Sequence, residues 1–281
     1  MPISSPQNKD ETPGEADESK TTHHPGDATP AGGIPKPRQS GWATPVSKLK
    51  VVDLPPGAVN LNVEGRQVMG PLQGFGQLWQ KTYKVRLGRA EVSPEQVITT
   101  WKEHFSEFWP QGNSFYAPLT KIQAGEVAVL NLAGPGGLKG PGGLPMISTG
   151  IVVVYADDES FSFMTPAGHM FAAIITFSAY EEDGTVAQVQ ALIRANDPLY
   201  ELLLRLGIGH KMEDEFWQET LRALAAHFGV SGYIQQQVTC IDPRVQWSQA
   251  RNIWHNAAVR TGIYILMSPL RWIGKVLKRE K

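Results

Sequence analysis

The sequence predicts an α+β fold: a meander of antiparallel strands, preceded by one helix and followed by a longer one. Two runs of alternating apolar and polar residues, 171–180 and 185–194, flank a turn at 181–184. An Asp-Gly pair between two such runs is a strong signal for a β-hairpin. An almost continuously apolar run at 147–155 predicts a well-buried strand. A helical pattern then extends over residues 197–228.

The N-terminal part of the chain precedes this pattern. Residues 1–45 are rich in Pro, Gly, Ser, Thr and charged residues and have almost no large apolar side chain before Trp42. Such a segment cannot bury enough surface to offset its ordering entropy, so we predict a disordered tail. Residues 46–80 form an ambiguous lead-in segment, in which short apolar pairs are separated by breaks such as Pro55-Pro56-Gly57.

A strand and a helix open the predicted domain. Residues 81–88 alternate between apolar and charged side chains, which indicates a strand. Ser93 is followed by Pro94 and, three residues after the serine, by Gln96. This pattern predicts a helix N-cap, a proline at the first helical position and a capping box. The helix carries one apolar stripe, which we expect to belong to the core: Val97, Trp101, Phe105 and Phe108.

A glycine-rich loop at 134–145 contains Gly-Pro-Gly-Gly-Leu twice and joins predicted strands at 126–133 and 147–155. A phosphate-binding loop would need a Gly-Lys-Ser/Thr ending and a following helix, and the dinucleotide-binding fingerprint must also open a helix. Neither condition is met, so we predict no nucleotide site. The loop is interpreted as a hairpin connection or, alternatively, as a flap at the mouth of a pocket.

The second helical region begins at Asp197-Pro198, which repeats the capping pattern of the first helix. Residues 199–206 predict a short helix that is broken at 207–209, and residues 212–228 predict a longer one. Gly229 stands just past its end, as expected for a C-cap. The apolar stripe of the longer helix consists of Trp217, Leu221, Leu224 and Phe228.

The overall composition of the 281 residues is that of an ordinary soluble protein, with 41% hydrophobic residues and a net charge of −1. This charge gives no global argument for nucleic acid or for an anionic membrane. The single cysteine, Cys240, excludes an internal disulfide. No apolar run follows Met1 and no uninterrupted apolar stretch of about 18 residues occurs, so we expect a cytoplasmic protein without a secretory signal or a spanning helix.

Four stretches carry a resemblance to a known superfamily: residues 160–169, 177–180 and 189–201, and the pair Phe216-Trp217. Together with the order of elements, they resemble a bacterial subgroup of the START-like, polyketide-cyclase (SRPBCC) superfamily. The resemblance implies a helix-grip fold, in which a curved antiparallel β-sheet wraps around a long C-terminal helix and leaves an apolar cavity. It also implies a lipid, sterol or polyketide-like ligand, and a minority of members catalyse cyclisation or hydrolysis. No catalytic residue carries over, because the superfamily has no universal catalytic motif.

The chain is accordingly divided into a tail at 1–45, a lead-in at 46–80, a helix-grip domain at 81–230 and a basic amphipathic helical extension at 231–281. Strand parity and the helix stripe indicate which side chains would face the implied cavity. They are Phe163, Ala173, Ile175, Phe177, Val189, Ala191, Trp217 and Leu221. The alternative interpretation is that these side chains close onto one another as solid core.

Two histidines are weak candidates for chemistry. His169 lies in a turn beside the strand of Phe163, and His210 precedes Glu213 by three residues at a helix start. A general base needs a reachable substrate as well as a suitable pKa. A metal site needs a third and a fourth ligand. We therefore predict no assigned catalytic residue, no metal and no cofactor.

The C-terminal region is strongly basic. Residues 243–281 contain eight Lys or Arg against one acidic residue, a net charge of +7, which leaves −8 for the rest of the chain. An apolar stripe with a tryptophan and a Lys/Arg face is typical of a helix lying in the interface of an anionic membrane. The predicted contact residues are Leu266, Leu270, Arg271, Trp272, Ile273, Lys275, Leu277 and Lys278. Packing on the domain itself or on a partner is the alternative, and nucleic acid is disfavoured because the stripe is too apolar.

Three hypotheses on function remain open at this stage. The first is a module that binds an apolar small molecule, with a membrane surface as a second partner. The second is an enzyme on the same fold, a cyclase, dehydratase or hydrolase that uses His169 or His210. The third is an interaction protein whose interior is filled and which docks through its C-terminal helices.

Overall fold

The computed structural model describes residues 41–52, 54, 58–88, 90–117 and 122–267, which form an α+β fold with a large antiparallel sheet and a few helices. The strands are β1 (Val68–Met69), β2 (Leu78–Arg86), β3 (Ser114–Tyr116), β4 (Val127–Leu132), β5 (Ile147–Ala156), β6 (Ser160–Pro166), β7 (Phe171–Glu181), β8 (Thr185–Ala195) and β9 (Ile234–Asp242). The α-helices are α1 (Pro94–Glu103), α2 (Pro198–Arg205), α3 (Ile208–His227) and α4 (Ala257–Leu266). Short 3₁₀ helices are Pro71–Gln73, Phe105–Phe108, Pro135–Gly137, Pro141–Gly143 and Trp247–His255.

The sheet has the strand order β3-β4-β5-β6-β7-β8-β2-β9, and β1 pairs with β6. From β3 to β8 each strand pairs with the next one in the sequence, which is the predicted antiparallel meander. In the turn between β7 and β8, Asp183 has φ 50° and Gly184 has φ 99°. This left-handed region favours glycine and tolerates aspartate, so the predicted hairpin is confirmed together with its cause.

Helix α1 begins as predicted. The Ser93 hydroxyl accepts a hydrogen bond from the Gln96 N–H, and the Gln96 side chain accepts one from the Ser93 N–H. The predicted single helix is nevertheless divided, because His104 leaves the helical conformation and the chain continues as the 3₁₀ helix Phe105–Phe108. All four residues of the predicted stripe are buried: Val97, Trp101, Phe105 and Phe108.

Helices α2 and α3 are separated by two residues, Leu206 and Gly207, and the second of them is in the left-handed conformation. Gly207 has φ 77° and ends α2, and α3 begins directly after it at Ile208. The predicted break over 207–209 is therefore shorter than expected, because Gly209 is itself helical. Gly229 has φ 71° just past the end of α3, which confirms the predicted C-cap.

The helical extension predicted for residues 231–281 is wrong in its first part. Ile234–Asp242 forms strand β9, which pairs antiparallel with β2 and lies at the edge of the sheet. The strand has three consecutive glutamines flanked by β-branched residues, and most of it is exposed, so its sequence shows no apolar alternation. Strand β9 forms because it pairs with the free edge of β2. The two segments are about 150 residues apart in the sequence, so no local sequence pattern predicts this pairing. Strand β3 was also missed.

The lead-in segment belongs to the fold. Leu49 and Val63 are buried against Val127, Val129 and Val152, on the face of the sheet opposite to α1 and α3. The predicted disordered tail, 1–45, is wrong at its end, because Trp42 forms an isolated bridge with Tyr155 and the Ala43 N–H donates to the Val154 carbonyl oxygen at 2.9 Å. Residues 1–40 lie outside the described residues. The sheet is therefore covered on both faces near β4 and β5.

The chain between β9 and α4 docks on the turn between β6 and β7. The Ala257 N–H donates to the Gly168 carbonyl oxygen at 2.8 Å. Gly168 has φ +95°, and a Cβ added there would overlap the His255 carbonyl oxygen. The 3₁₀ helix Trp247–His255 thus lies so close to this turn that only glycine fits.

We expect Gly168→Ala to detach the segment 247–267 from the domain, because the added methyl group needs the space that His255 occupies. Amide hydrogen exchange should accelerate in 247–267 and stay unchanged in β4–β8. Gly125→Ala is the matched control, since Gly125 has φ +96° but no atom within 4 Å of an added Cβ. Identical exchange in the two variants would contradict the docking described here.

Candidate functional site

The residues predicted to line an apolar cavity lie together in the main hydrophobic core, between one face of the sheet and helices α1 and α3. All eight are buried: Phe163, Ala173, Ile175, Phe177, Val189, Ala191, Trp217 and Leu221. They come from β6, β7, β8 and α3. Strand parity therefore identified correctly which side chains point into the space between the sheet and the helices.

Phe177 lies at the centre of this core. Its ring centroid is 4.6 Å from that of Phe161, 5.2 Å from Phe105, 5.3 Å from Trp101 and 5.5 Å from Trp217. These are the spacings of aromatic rings in direct contact. Around Phe177, side chains of the chain itself fill the space between sheet and helices.

One end of the aromatic core is partly open to solvent. Trp109, Phe115 and Phe216 are half-buried there, and the Trp109 ring centroid lies 5.2 Å from that of Phe115 and 5.0 Å from that of Phe216. The indole N–H of Trp109 is buried and has no hydrogen-bond acceptor among the described residues. A molecule entering the core would meet these three rings first.

A buried ionic cluster joins β2 to α3. The Lys81 ammonium, which is fully buried, lies 2.9 Å from a Glu213 carboxylate oxygen and 2.7 Å from an Asp214 carboxylate oxygen. Tyr83 donates its hydroxyl to the same Asp214 oxygen at 2.6 Å. Lys81 is paired in register with Ala191, whose small side chain leaves room for it. Burial raises the pKa of Glu213, and the neighbouring Lys81 lowers it. The ion pair therefore offsets part of the cost of burying these groups.

The sequence contained a signal for this cluster. Lys81 has the same parity as Tyr83 and Val85, which both point into the core, so a lysine two residues before Tyr83 must also point inward. A lysine at an inward position needs acidic partners from the covering helix. The partners themselves, on α3, are about 130 residues away in the sequence.

His210 lies beside this cluster. Its ring is 4.8 Å from that of Trp79 in an edge-to-face arrangement, and burial, together with Lys81, lowers its pKa. Glu213, the suggested second metal ligand, is paired with Lys81 instead. Among the described residues there is no group of three or more His, Cys, Asp or Glu placed to hold a metal ion.

His169 is buried in the turn between β6 and β7 and is used within that turn. Nδ1 of His169 lies 3.0 Å from the Phe171 amide nitrogen and 3.1 Å from the Phe171 carbonyl oxygen. The Phe171 carbonyl oxygen accepts the Thr165 hydroxyl at 2.7 Å. Burial lowers the pKa of His169 to about 4. The ring is thus neutral at physiological pH and supports the turn on which Gly168 meets the C-terminal segment.

Helix α4 is anchored on β5 and the lead-in through polar groups. The Thr261 hydroxyl, with its residue only 1% exposed, accepts from the Ser148 N–H at 3.1 Å. The Asn62 amide, also buried, donates to the Ser148 carbonyl oxygen at 2.8 Å, and its oxygen accepts from Arg260 at 2.9 Å. At the start of the helix, the Ala258 N–H donates to the Tyr200 hydroxyl at 3.0 Å.

The opposite face of α4 is apolar and exposed. We call it the α4 apolar face, and it consists of Val259, Ile263, Leu266 and Met267. These residues recur at the i, i+4, i+7 and i+8 positions of one helix face. Leu266 is 79% exposed and Ile263 is 52% exposed. The helix therefore combines a polar anchor and small apolar residues, such as the buried Ala257, against the domain with a row of large apolar side chains towards the outside.

Further exposed apolar side chains surround the start of α4. Trp247 and Trp254, in the preceding 3₁₀ helix, are 74% and 79% exposed. Leu202 of α2 and Leu206, just past its end, are exposed as well. The start of α2 is joined to the start of α4 through Asp197, which accepts from the Asn256 side chain at 2.8 Å. A tryptophan ring with a polar edge is enriched where apolar and aqueous phases meet.

Of the predicted contact residues in the C-terminal extension, Leu266 belongs to the α4 apolar face. The others, Leu270, Arg271, Trp272, Ile273, Lys275, Leu277 and Lys278, lie outside the described residues. The exposed tryptophans Trp247 and Trp254 were not predicted, although their position in an acid-free run, 243–267, was visible in the sequence. In the described part of the chain, no helix is long and apolar enough to cross a bilayer.

Comparisons with known proteins leave the family open. No protein-family model and no curated protein matches the chain. Among solved structures, protein Ms6760 of Mycobacterium smegmatis has 16% identity and a TM-score of 0.37, and the match covers 58% of this chain and 96% of that one. Protein NE0264 of Nitrosomonas europaea has 15% identity and a TM-score of 0.36, with 53% and 94% covered. A Rhodobacter sphaeroides protein has 16% identity and a TM-score of 0.35, with 58% and 97% covered. These scores lie below 0.5 and define neither a shared fold nor a shared function.

The buried His169 gives the protein a defined pH dependence. Its pKa falls from 6.5 to about 4 on folding, so the unfolded chain binds a proton that the folded chain does not bind between these values. The free energy of unfolding should fall by about 3 kcal/mol as the pH decreases from 7 to 4. In His169→Gln, the free energy of unfolding measured by urea denaturation should not show this decrease of about 3 kcal/mol over the same pH range. Parallel pH curves for the two proteins would show that the ring is not buried as described.

Proposed function

We propose that this protein binds the surface of anionic membranes through helix α4 and the basic segment that follows it. The observation that supports this most directly is the exposed α4 apolar face. Thr261 anchors the helix to the domain, while Ile263 and Leu266 face outward. Exposing such an apolar row to water is unfavourable, and burial in the interfacial region of a bilayer would relieve that cost.

The charge of the region fits the same partner. Residues 243–267 contain three arginines and no acidic residue, and residues 268–281 add five Lys or Arg against Glu280. A cationic residue near an anionic bilayer contributes about 1 kcal/mol, and this attraction decays within a Debye length. Apolar contact and charge attraction therefore act on the same surface. The negatively charged inner leaflet of the cytoplasmic membrane is the expected location.

We also propose that the sheet, α1 and α3 form a helix-grip fold of the START-like type. The support is the succession of β2, α1, the meander β3–β8 and α3, with β2 inserted beside β8. Phe177 contacts Trp101 of α1 and Trp217 of α3, so both helices lie on the same face of the sheet. On this proposal, β9 and α4 are additions to that fold, on its edge and its outer face.

The membrane proposal is tested by sedimentation of the full chain with vesicles of phosphatidylcholine alone and with phosphatidylglycerol. We expect binding only to the anionic vesicles, and weaker binding at high salt. Ile263→Ser combined with Leu266→Ser should reduce the partition coefficient roughly 30-fold, because it removes about 2 kcal/mol of apolar transfer free energy.

The control for these variants is Tyr233→Ser. Tyr233 is 84% exposed and precedes β9, at the sheet edge that is separated from β5 and α4 by four strands. Its replacement should leave vesicle binding unchanged. Equal losses in the control and in the α4 variant, or no binding of the wild type to anionic vesicles, would refute the proposal.

Uptake of an apolar small molecule between sheet and α3 is the second candidate. The half-buried rings of Trp109, Phe115 and Phe216 favour it, because they form an apolar entrance to the core. The filled space around Phe177 is the observation that places it second. Glu213 and Asp214, within one turn of Phe216 on α3, are paired with Lys81, which gives no support to the enzyme hypothesis.

Organic extraction of the purified chain, followed by mass spectrometry, distinguishes the two candidates. A filled core predicts no stoichiometric apolar compound in the extract. A compound present at one equivalent in the wild type and absent from Phe216→Ala would establish the carrier function instead. Leu224→Ala, a buried change on the same helix, controls for nonspecific loss of packing.

A further inference from the structure

A surface pocket lies between the lead-in, the β6–β7 turn and the 3₁₀ helix Trp247–His255. Its volume is about 500 Å³, and its wall includes Gln67, Gln73, Arg251, Asn252, Trp254 and His255. It is on the outer side of the sheet, next to the start of α4, and it is separate from the aromatic core. Neither the predicted cavity nor the predicted contact residues include any of these side chains.

The charge around this pocket is not compensated. A guanidinium nitrogen of Arg66 lies 2.9 Å from Nδ1 of His255. Burial lowers the pKa of both Arg66 and His255, and the nearby charge of Arg260 lowers both further. Arg251 is on the pocket wall. In the described ranges, no carboxylate lies within ion-pair distance of Arg66, Arg251 or Arg260.

The hydrogen-bonding groups define what the anion would carry. Since a guanidinium group can only donate, Nδ1 of His255 accepts from Arg66, and Nε2–H remains a donor. Guanidinium groups match the geometry of phosphate oxygens, and several of them suit a dianion better than a single carboxylate. The volume exceeds that of a bare phosphate, and the amides of Gln67 and Gln73 are suited to hydroxyl groups on an attached body.

We infer that this pocket binds the phosphate group of a small hydroxylated phosphate ester, with Arg251 and His255 of its wall as donors and with Arg66, which contacts His255, as a neighbouring positive charge. Two sources carry this chemistry: a soluble ester such as glycerol 3-phosphate, and the headgroup of an anionic phospholipid. The second source deepens the membrane function proposed above and depends on it, whereas the first does not. Trp254, 79% exposed at the rim, would pack on the carbon skeleton of either.

The test uses the full chain, with glycerol 3-phosphate and inorganic phosphate as probes in calorimetric titration. Arg66→Gln combined with Arg251→Gln should weaken binding at least tenfold. The matched control is Lys211→Gln combined with Arg222→Gln, which removes the same charge from α3 and should bind like the wild type. Arg251→Gln alone serves as a second variant, because Arg251 is exposed and its loss leaves the fold unaffected.

The lipid source is tested by sedimentation with vesicles that contain phosphatidylinositol 4-phosphate or phosphatidylserine at equal surface charge. Preference for the phosphoinositide that is lost in the Arg66/Arg251 variant and retained in the α3 control supports a headgroup site. Binding of glycerol 3-phosphate without any vesicle binding supports the pocket while refuting the membrane proposal. The inference is overturned if neither small probe binds and the two double variants bind vesicles equally.

Discussion

The packing around Phe177 is the constraint on which the arrangement of this protein depends. This ring, from the middle of β7, contacts rings of β6, α1, α3 and the 3₁₀ helix after α1. Because protein interiors are close-packed, its contacts fix the distance between the sheet and both helices. They also decide which part of the molecule is available for interaction. Because aromatic rings fill this space, we expect interaction surfaces on the outer face of the sheet. That face carries α4 and the pocket that includes Arg251.

The outer face combines buried polar anchoring with exposed apolar side chains. Asn62, Ser148 and Thr261 satisfy one another in the interior, as buried polar groups must. They hold α4 so that Ile263 and Leu266 remain in contact with water. A helix that served only to cover the sheet would have the opposite orientation. On the proposed function, a membrane surface covers these apolar side chains, and the three arginines of residues 243–267 would attract its negative charge.

Local signals in the sequence predicted much of the fold. The capping box at Ser93, the Asp-Gly turn and the C-cap at Gly229 were predicted because each is determined within a few residues. Strand β9 was missed, because its glutamine-rich sequence becomes a strand only by pairing with β2. The anchoring of α4 was also missed, since Asn62 and Thr261 are separated by 199 residues. Parity identified which side chains point into the core, but whether a core has free space depends on how rings from distant segments fit together.

The position of β2 in the sheet affects how the chain can fold. It is the first long strand in the sequence, yet its neighbours are β8 and β9. Trp79 pairs with Ile193 and Val85 with Ile234, so β2 has no strand partner until most of the chain has been synthesised. Until then, both edges of β2 lack their partner strands and Lys81 lacks its acidic partners on α3. The local hairpins of the meander can already form during this time. Closing loops of this length is slow relative to forming hairpins. A nascent chain would therefore expose an unpaired strand for a long period, the kind of surface on which chaperones act during translation.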